Sequence, residues 1–180
     1  HKDICPPNIV WNRHTGQIRI IDFGISTKLS HEQQDLKSTA MLEGSFPYMS
    51  PEQTGRMNRE VDYRTDFYSL GITFYELLTG SLPFQAEDIM GWVHCHIAKK
   101  PADPCFMNPD IPKPLVQILE RLMAKNAEDR YQSSKGLGRD LEEVQSLWQK
   151  KKAMDKFIPG RFDISEKFQI SQKLYGRENE

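Results

Sequence analysis

At 180 residues, 38% of them hydrophobic, the chain is long enough to bury one core of ordinary domain size. Its 24 basic and 25 acidic residues leave a net charge of −1, which supplies no field for gripping nucleic acid. Three cysteines, an odd number, argue against a disulfide framework and for a reducing compartment; no apolar run approaches the ~20 residues that span a bilayer and no signal peptide is visible, so a cytoplasmic location is expected.

In chain order, the first eight residues, His1-Lys2-Asp3-Ile4-Cys5-Pro6-Pro7-Asn8, place a carboxylate and an amide five positions apart. Residues 9–11 and 17–21, separated by Asn12-Arg13-His14-Thr15-Gly16, read as a β-hairpin with Asn8 at one end and Asp22-Phe23-Gly24 at the other. A hydroxyl-bearing loop follows from Ile25 to about Ser50, in which Ser38 and Thr39 read as solvated loop residues. From 66 to 79 the pattern predicts a helix that is apolar nearly all round, with Phe67, Leu70, Phe74, Leu77 and Leu78 on one face and Tyr68, Ile72 and Tyr75 on another, so it should be a buried spine. Asp66 is placed to accept backbone N–H groups at its start and Gly80 to stop it.

A further helix is expected between 86 and 99, on which His94 and His96 diverge by about 200° and cannot share one metal ion. Leu115, Ile118, Leu119, Leu122 and Met123 recur at three and four after Pro112 and Pro114, and Leu137, Leu141, Val144 and Trp148 do so after Ser133 and Ser134; both stripes read as core. Lys150-Lys151-Lys152 reads as a solvated helix end. The tail from Ala153 onward carries apolar residues only in short pairs, too sparse for a second core, and reads as a connector that could staple to the domain.

Four motifs in a fixed order, Asp3 with Asn8, Asp22-Phe23-Gly24, Ser50-Pro51-Glu52 and Arg130, resemble the eukaryotic-type Ser/Thr protein kinases. The resemblance implies an α+β protein-kinase-like fold, of which only the mainly α-helical C-terminal lobe and a short β-hairpin are present. Residues 1–150 are then that lobe and residues 151–180 a linker. The chain opens inside the catalytic loop without an initiator Met, and no G-x-G-x-x-G occurs in it, so it is expected to be a fragment that catalyses nothing alone.

Residue by residue, the resemblance makes Asp3 the group that orients and deprotonates a substrate Ser/Thr hydroxyl of a protein. It makes Asn8 and Asp22 the Mg2+ ligands that hold ATP, with His1 and Phe23 architectural and Gly24 supplying backbone freedom beside Asp22. Ser45 matches a hydroxyl that bonds the catalytic Asp and favours Ser/Thr over Tyr substrates. Glu52 pairs with Arg130, and Asp66 braces the catalytic loop from beneath. Lys2 stands where many relatives carry Arg.

Cys5 departs from the pattern. Ser/Thr kinases carry a Lys there, and Pro7 stands where tyrosine kinases place an Arg. Losing a preorganised charge aimed at the transition state costs on the order of 3 kcal/mol, about a hundredfold in rate. Two functional classes therefore stand: an active Mg·ATP-dependent kinase, and a pseudokinase module that binds nucleotide or partner. The stretches 50–80 and 124–143 and the closing Leu174-Tyr175-Gly176-Arg177-Glu178 further resemble bacterial multidomain signalling proteins. These join such a domain to an AAA-type ATPase, a GAF sensor and a two-component histidine kinase, which implies those downstream domains as partners in the same chain.

Overall fold

The computed structural model describes residues 1–26, 45–150 and 156–164. The expectations for Ser38, Thr39, the lysines at 151 and 152, and the motif at 174–178 lie outside them. Among the described residues a two-stranded sheet is followed by four α-helices, and no helix is long and apolar enough to cross a membrane.

Strands β1 (Ile9–Trp11) and β2 (Ile18–Ile20) pair antiparallel, with Ile9 opposite Ile20 and Trp11 opposite Ile18. The turn is set by Asn12, whose Oδ1 accepts the N–H groups of His14 and Thr15, and by Gly16 at φ 70°, where glycine is free of the Cβ penalty. Beyond the last strand residue, the Ile21 N–H donates to the Asn8 carbonyl at 2.9 Å, which ties the two ends of the hairpin together.

Helix α1 (Arg64–Thr79) begins two residues earlier than the apolar pattern indicates. Asp62 accepts the Arg64 N–H and grips its guanidinium, so Asp62 takes the terminal role expected of Asp66. Gly80, at φ 74°, closes the helix as expected. Helix α2 (Ile89–Ala98) starts later than 86, because Asp88 caps it through the Gly91 N–H at 2.7 Å. Helices α3 (Lys113–Leu122) and α4 (Ser134–Gln149) begin at Pro112 and at Ser133, whose hydroxyl accepts the Gly136 N–H.

Helix α1 lies between two apolar clusters. Tyr68, Ile72 and Tyr75 pack with Phe84, Cys95, Leu119 and Met123, while Phe67, Leu70 and Phe74 lean on Ile118, Leu122, Tyr131, Leu137 and Val144. It is the spine the pattern indicates, but not all round: Leu77 is 68% exposed, while Leu78 beside it packs on the core. Trp148, expected in the core stripe of α4, is likewise 57% exposed beyond the reach of Val144.

The α1–α3 crossing is close enough that a Cβ on Gly71 would meet the Leu122 Cβ at 2.8 Å and the Met123 Cγ at 2.9 Å. Gly71→Ala is therefore expected to destabilise the domain by about 1–3 kcal/mol despite alanine's better helix propensity. Urea denaturation would read this as a lowered midpoint.

Candidate active site

The loop at residues 1–8 has little regular structure of its own and is held by bonds from three directions. From below, Asp66 on the first turn of α1 takes the Lys2 N–H on Oδ1 at 2.7 Å and the His1 nitrogen on Oδ2 at 2.8 Å. From the side, Gln53 Nε2 donates to the Lys2 carbonyl at 2.8 Å. From within, the Asp3 N–H donates to His1 Nδ1, so the imidazole proton sits on Nε2 and is given to the Ile21 carbonyl at 3.0 Å. His1 thereby joins the loop to the end of β2, and its ring meets Phe23 edge-on at 4.7 Å.

Both Asp3 carboxylate oxygens are occupied by neutral donors. Oδ1 accepts the Ser45 N–H at 2.9 Å and Oδ2 accepts Asn8 Nδ2 at 3.0 Å. Asn8 Nδ2 also donates to the Asp3 carbonyl, which spends the amide hydrogens on Asp3 and leaves Oδ1 as the free acceptor of the side chain. Asp22 makes no hydrogen bond to either residue; it reaches them through the Ile21–Asn8 backbone bond and is itself exposed.

Two details differ from the sequence reading. The left-handed backbone falls on Asp22, at φ 62°, and not on Gly24, whose N–H donates to Asp22 Oδ1 at 3.3 Å; a Cβ at Gly24 would crowd that oxygen at 3.2 Å, so glycine contributes space there rather than an unusual φ. Ser45 meets Asp3 through its backbone N–H, while its hydroxyl lies 3.8 Å from Cys5 Sγ. The reason is the residue at position 5: a buried thiol packs against the hydroxyl. Burial raises the Cys5 thiol above its ordinary value, and the Asp3 and Asp22 charges add to the shift, so it is a neutral space-filler.

The segment after Ser45 is anchored at Glu52, Ser50 and Phe46. Arg130, fully buried, gives Nη1 to Glu52 Oε1 at 2.6 Å and Nη2 to Oε2 at 2.8 Å, and spends its remaining N–H groups on the carbonyls of Ala124, Arg64 and Lys125. Burial alone would push the Glu52 carboxyl up; the Arg130 guanidinium, helped by the Thr65 hydroxyl at 2.7 Å, holds it below the ordinary carboxylate value.

Sequence reasoning missed three supports. Gln53 also accepts the Ser50 N–H, Tyr48 donates to Glu76 at 2.6 Å, and His96 donates through Nε2 to the Phe46 carbonyl at 2.8 Å while Nδ1 accepts the Tyr68 hydroxyl. None carries a motif spacing, because each partner is 28 to 50 residues away or lies in a loop. His94 is exposed and His96 fully buried, so the two do diverge as their spacing requires.

Asn8 Oδ1, which no hydrogen bond occupies, and the exposed Asp22 carboxylate are hard oxygen donors of the kind that Mg2+ takes, one or two from protein beside substrate phosphates, so the residue types fit that ion. The described residues contain no cluster of three His, Cys, Asp or Glu able to hold a metal unaided.

A family model described as the protein kinase domain matches residues 1–141. The chain belongs to the protein kinase family. It is 35% identical over 144 residues to a probable serine/threonine-protein kinase of Clostridium perfringens, covering 80% of this chain and 20% of that protein. It is 33% identical over 144 residues to the serine/threonine-protein kinase PknB of Mycolicibacterium smegmatis, covering 80% and 23%. A hybrid signal transduction histidine kinase G of Dictyostelium discoideum is 49% identical over 98 residues, 54% of this chain and 3% of that protein. The chain spans less than a quarter of the length of each of these relatives.

Two stability measurements test how this kinase domain holds its site. Glu52→Gln leaves the Arg130 charge buried without its counter-ion and is expected to cost about 3–5 kcal/mol, part of which a second change, Arg130→Met, restores. Urea midpoints of the single and double variants read both effects. Burial pushes the His96 imidazole down to about 4, against the help of its bond to Phe46. The unfolded chain, with an ordinary imidazole near 6.5, binds the proton first, so the contribution is complete above about pH 6.5 and is lost as pH falls toward 4, by about 3 kcal/mol. A His96→Gln variant should show a flatter stability profile across that window.

Proposed function

We propose that residues 1–150 are the C-terminal lobe of a serine/threonine protein kinase domain, and residues 151–180 the connector to further domains of a cytoplasmic signalling protein. In this reading Asp3 receives the proton of a protein Ser/Thr hydroxyl, and Asn8 Oδ1 and Asp22 hold the Mg2+ of ATP. The single observation that carries it is the held geometry of Asp3: one carboxylate oxygen on the Ser45 N–H, the other on the Asn8 amide, with the hairpin bringing Asp22 to the same end of the molecule.

Mg·ATP, when bound, supplies the phosphoryl group and the positive charge that offsets its negative oxygens. The chain's own residues do the rest by position. Asn8 donates to Asp3, which keeps that carboxylate from rotating, and keeps its own Oδ1 free of hydrogen bonds. Asp22 is held at positive φ by the Gly24 N–H, and His1 fixes the residue before it. Ser45 orients Asp3 through its main chain, so Ser45→Ala keeps the orienting bond. The parts expected upstream, a glycine-rich loop and a strand lysine, do not occur among these 180 residues, and this chain alone is expected to transfer no phosphate.

A second reading, a pseudokinase that binds nucleotide or partner within a histidine-kinase signalling protein, is favoured by one observation. Position 5 holds a buried neutral thiol where a lysine would face the transferred group. The relative named as a hybrid signal transduction histidine kinase supports placing either form in such an assembly.

Transfer of labelled phosphate from ATP by the complete protein separates the two. Asp3→Asn is expected to lower the rate about a hundredfold or more, and Cys5→Lys to raise it, by up to about a hundredfold if the missing cation limits the parent. A parent no faster than its Asp3→Asn form would sink the active-kinase reading and leave the pseudokinase.

A further inference from the structure

We propose that residues 157–163 form a docking strap, a Phe-x-x-Gly-x-x-Asp sequence recognised by the face that α3, α4 and the loop between them present, which fixes the connector to the kinase domain. The inference rests on packing outside the candidate active site and is independent of whether that site transfers phosphate. The strap lies beyond residue 141, where the family match ends.

Each of the three anchors is read by a different kind of contact. Phe157, 6% exposed, closes the apolar cluster of Ile118, Leu122, Tyr131, Leu137 and Val144. Gly160 donates its N–H to Asp140 Oδ2 at 2.6 Å and turns the chain at φ 71°, where glycine is free of the Cβ penalty; a Cβ there would also push the Arg121 guanidinium aside. Asp163, whose side chain is fully shielded from solvent, accepts the Gln132 N–H at 2.6 Å and the Ser133 hydroxyl at 2.9 Å, with Arg121 Nη2 at 3.4 Å.

Ser133 caps α4, so the Asp163 carboxylate stands at the positive end of a 16-residue helix. The receiving face is shaped for it: a Cβ on Gly136 would come within 2.3 Å of Asp163 Oδ1. Arg121 clasps the segment a second time through the Pro159 carbonyl while lying over the Tyr131 ring. Between and beyond the anchors, Ile158, Phe162 and Ile164 face solvent. The chain as far as Asp163 is therefore held in register with α3 and α4.

Hydrogen exchange resolved by residue on the full chain tests the strap. The Gln132 and Gly160 amides should be protected in the parent. Asp163→Ala should speed both by about tenfold or more while the Ile72 amide in α1 keeps its rate. Acceleration at Gly160 is the informative part, since its own partner is Asp140 and only release of the whole segment links it to Asp163. Gly160→Ala should release Gln132 in the same way, because alanine is strained at φ 71°, and Ile164→Ala should change nothing. A Gly160 amide that exchanges freely in the parent, or that ignores Asp163→Ala, overturns the proposal. So does loss of α1 protection or failure to fold in both variants, because the segment would then be core and not a strap.

Discussion

The pair between Glu52 and Arg130 is the constraint on which the arrangement of this domain depends. Two charges removed from water this completely are favourable only if every remaining donor and acceptor is used. Here each guanidinium N–H has an acceptor, and Glu52 has Thr65 besides. The acceptors come from three places in the chain: the segment after Ser45, the start of α1, and the connection from α3 toward α4. Moving any one of them would strand a buried charge, so the pair sets their mutual position more strictly than apolar packing, which tolerates small slips.

The candidate active site inherits that position through two short routes. One residue after Glu52, Gln53 bonds the Lys2 carbonyl; one residue after Thr65, Asp66 bonds the Lys2 N–H. Lys2 is thus pinned on both sides of its α-carbon and sits at φ 70°, a conformation a lysine does not adopt without such support. Asp22 shows the same logic at φ 62°, fixed by Gly24 after it and by the contacts of Ile21 with Asn8 and His1 before it. One strained residue, Lys2, precedes the proposed base Asp3, and the other, Asp22, is itself a proposed metal ligand, as expected where rigidity serves positioning.

Much of this was legible without coordinates where residue type and spacing carry the information. The hairpin follows from two apolar runs around Asn12 and Gly16, α1 from its periodicity and Gly80, and the family from four motifs in order. What escaped notice has a common physical origin. Gln53, Tyr48 and His96 act through bonds that join segments 28 to 51 residues apart, with one further bond from Gln53 to nearby Ser50, and such bonds leave no periodic trace. Ser45 was assigned by its hydroxyl, yet its N–H makes the contact with Asp3, because the thiol of Cys5 draws the hydroxyl aside. Asp66 braces the loop as the family resemblance implies, while the N–H at the start of α1 goes to Asp62 and not to Asp66.

By itself the sequence determined the kinase family, the helical periodicities and the hairpin, since all of these depend on residue type at short range. Only the tertiary structure decided which carboxylate oxygen meets which donor, that backbone strain falls on Asp22 and Lys2, and that Phe157, Gly160 and Asp163 pack against α3, α4 and the loop between them. Those outcomes depend on where distant segments are brought together, and a buried ion pair with every bond satisfied decides that through three-dimensional geometry that no local pattern encodes.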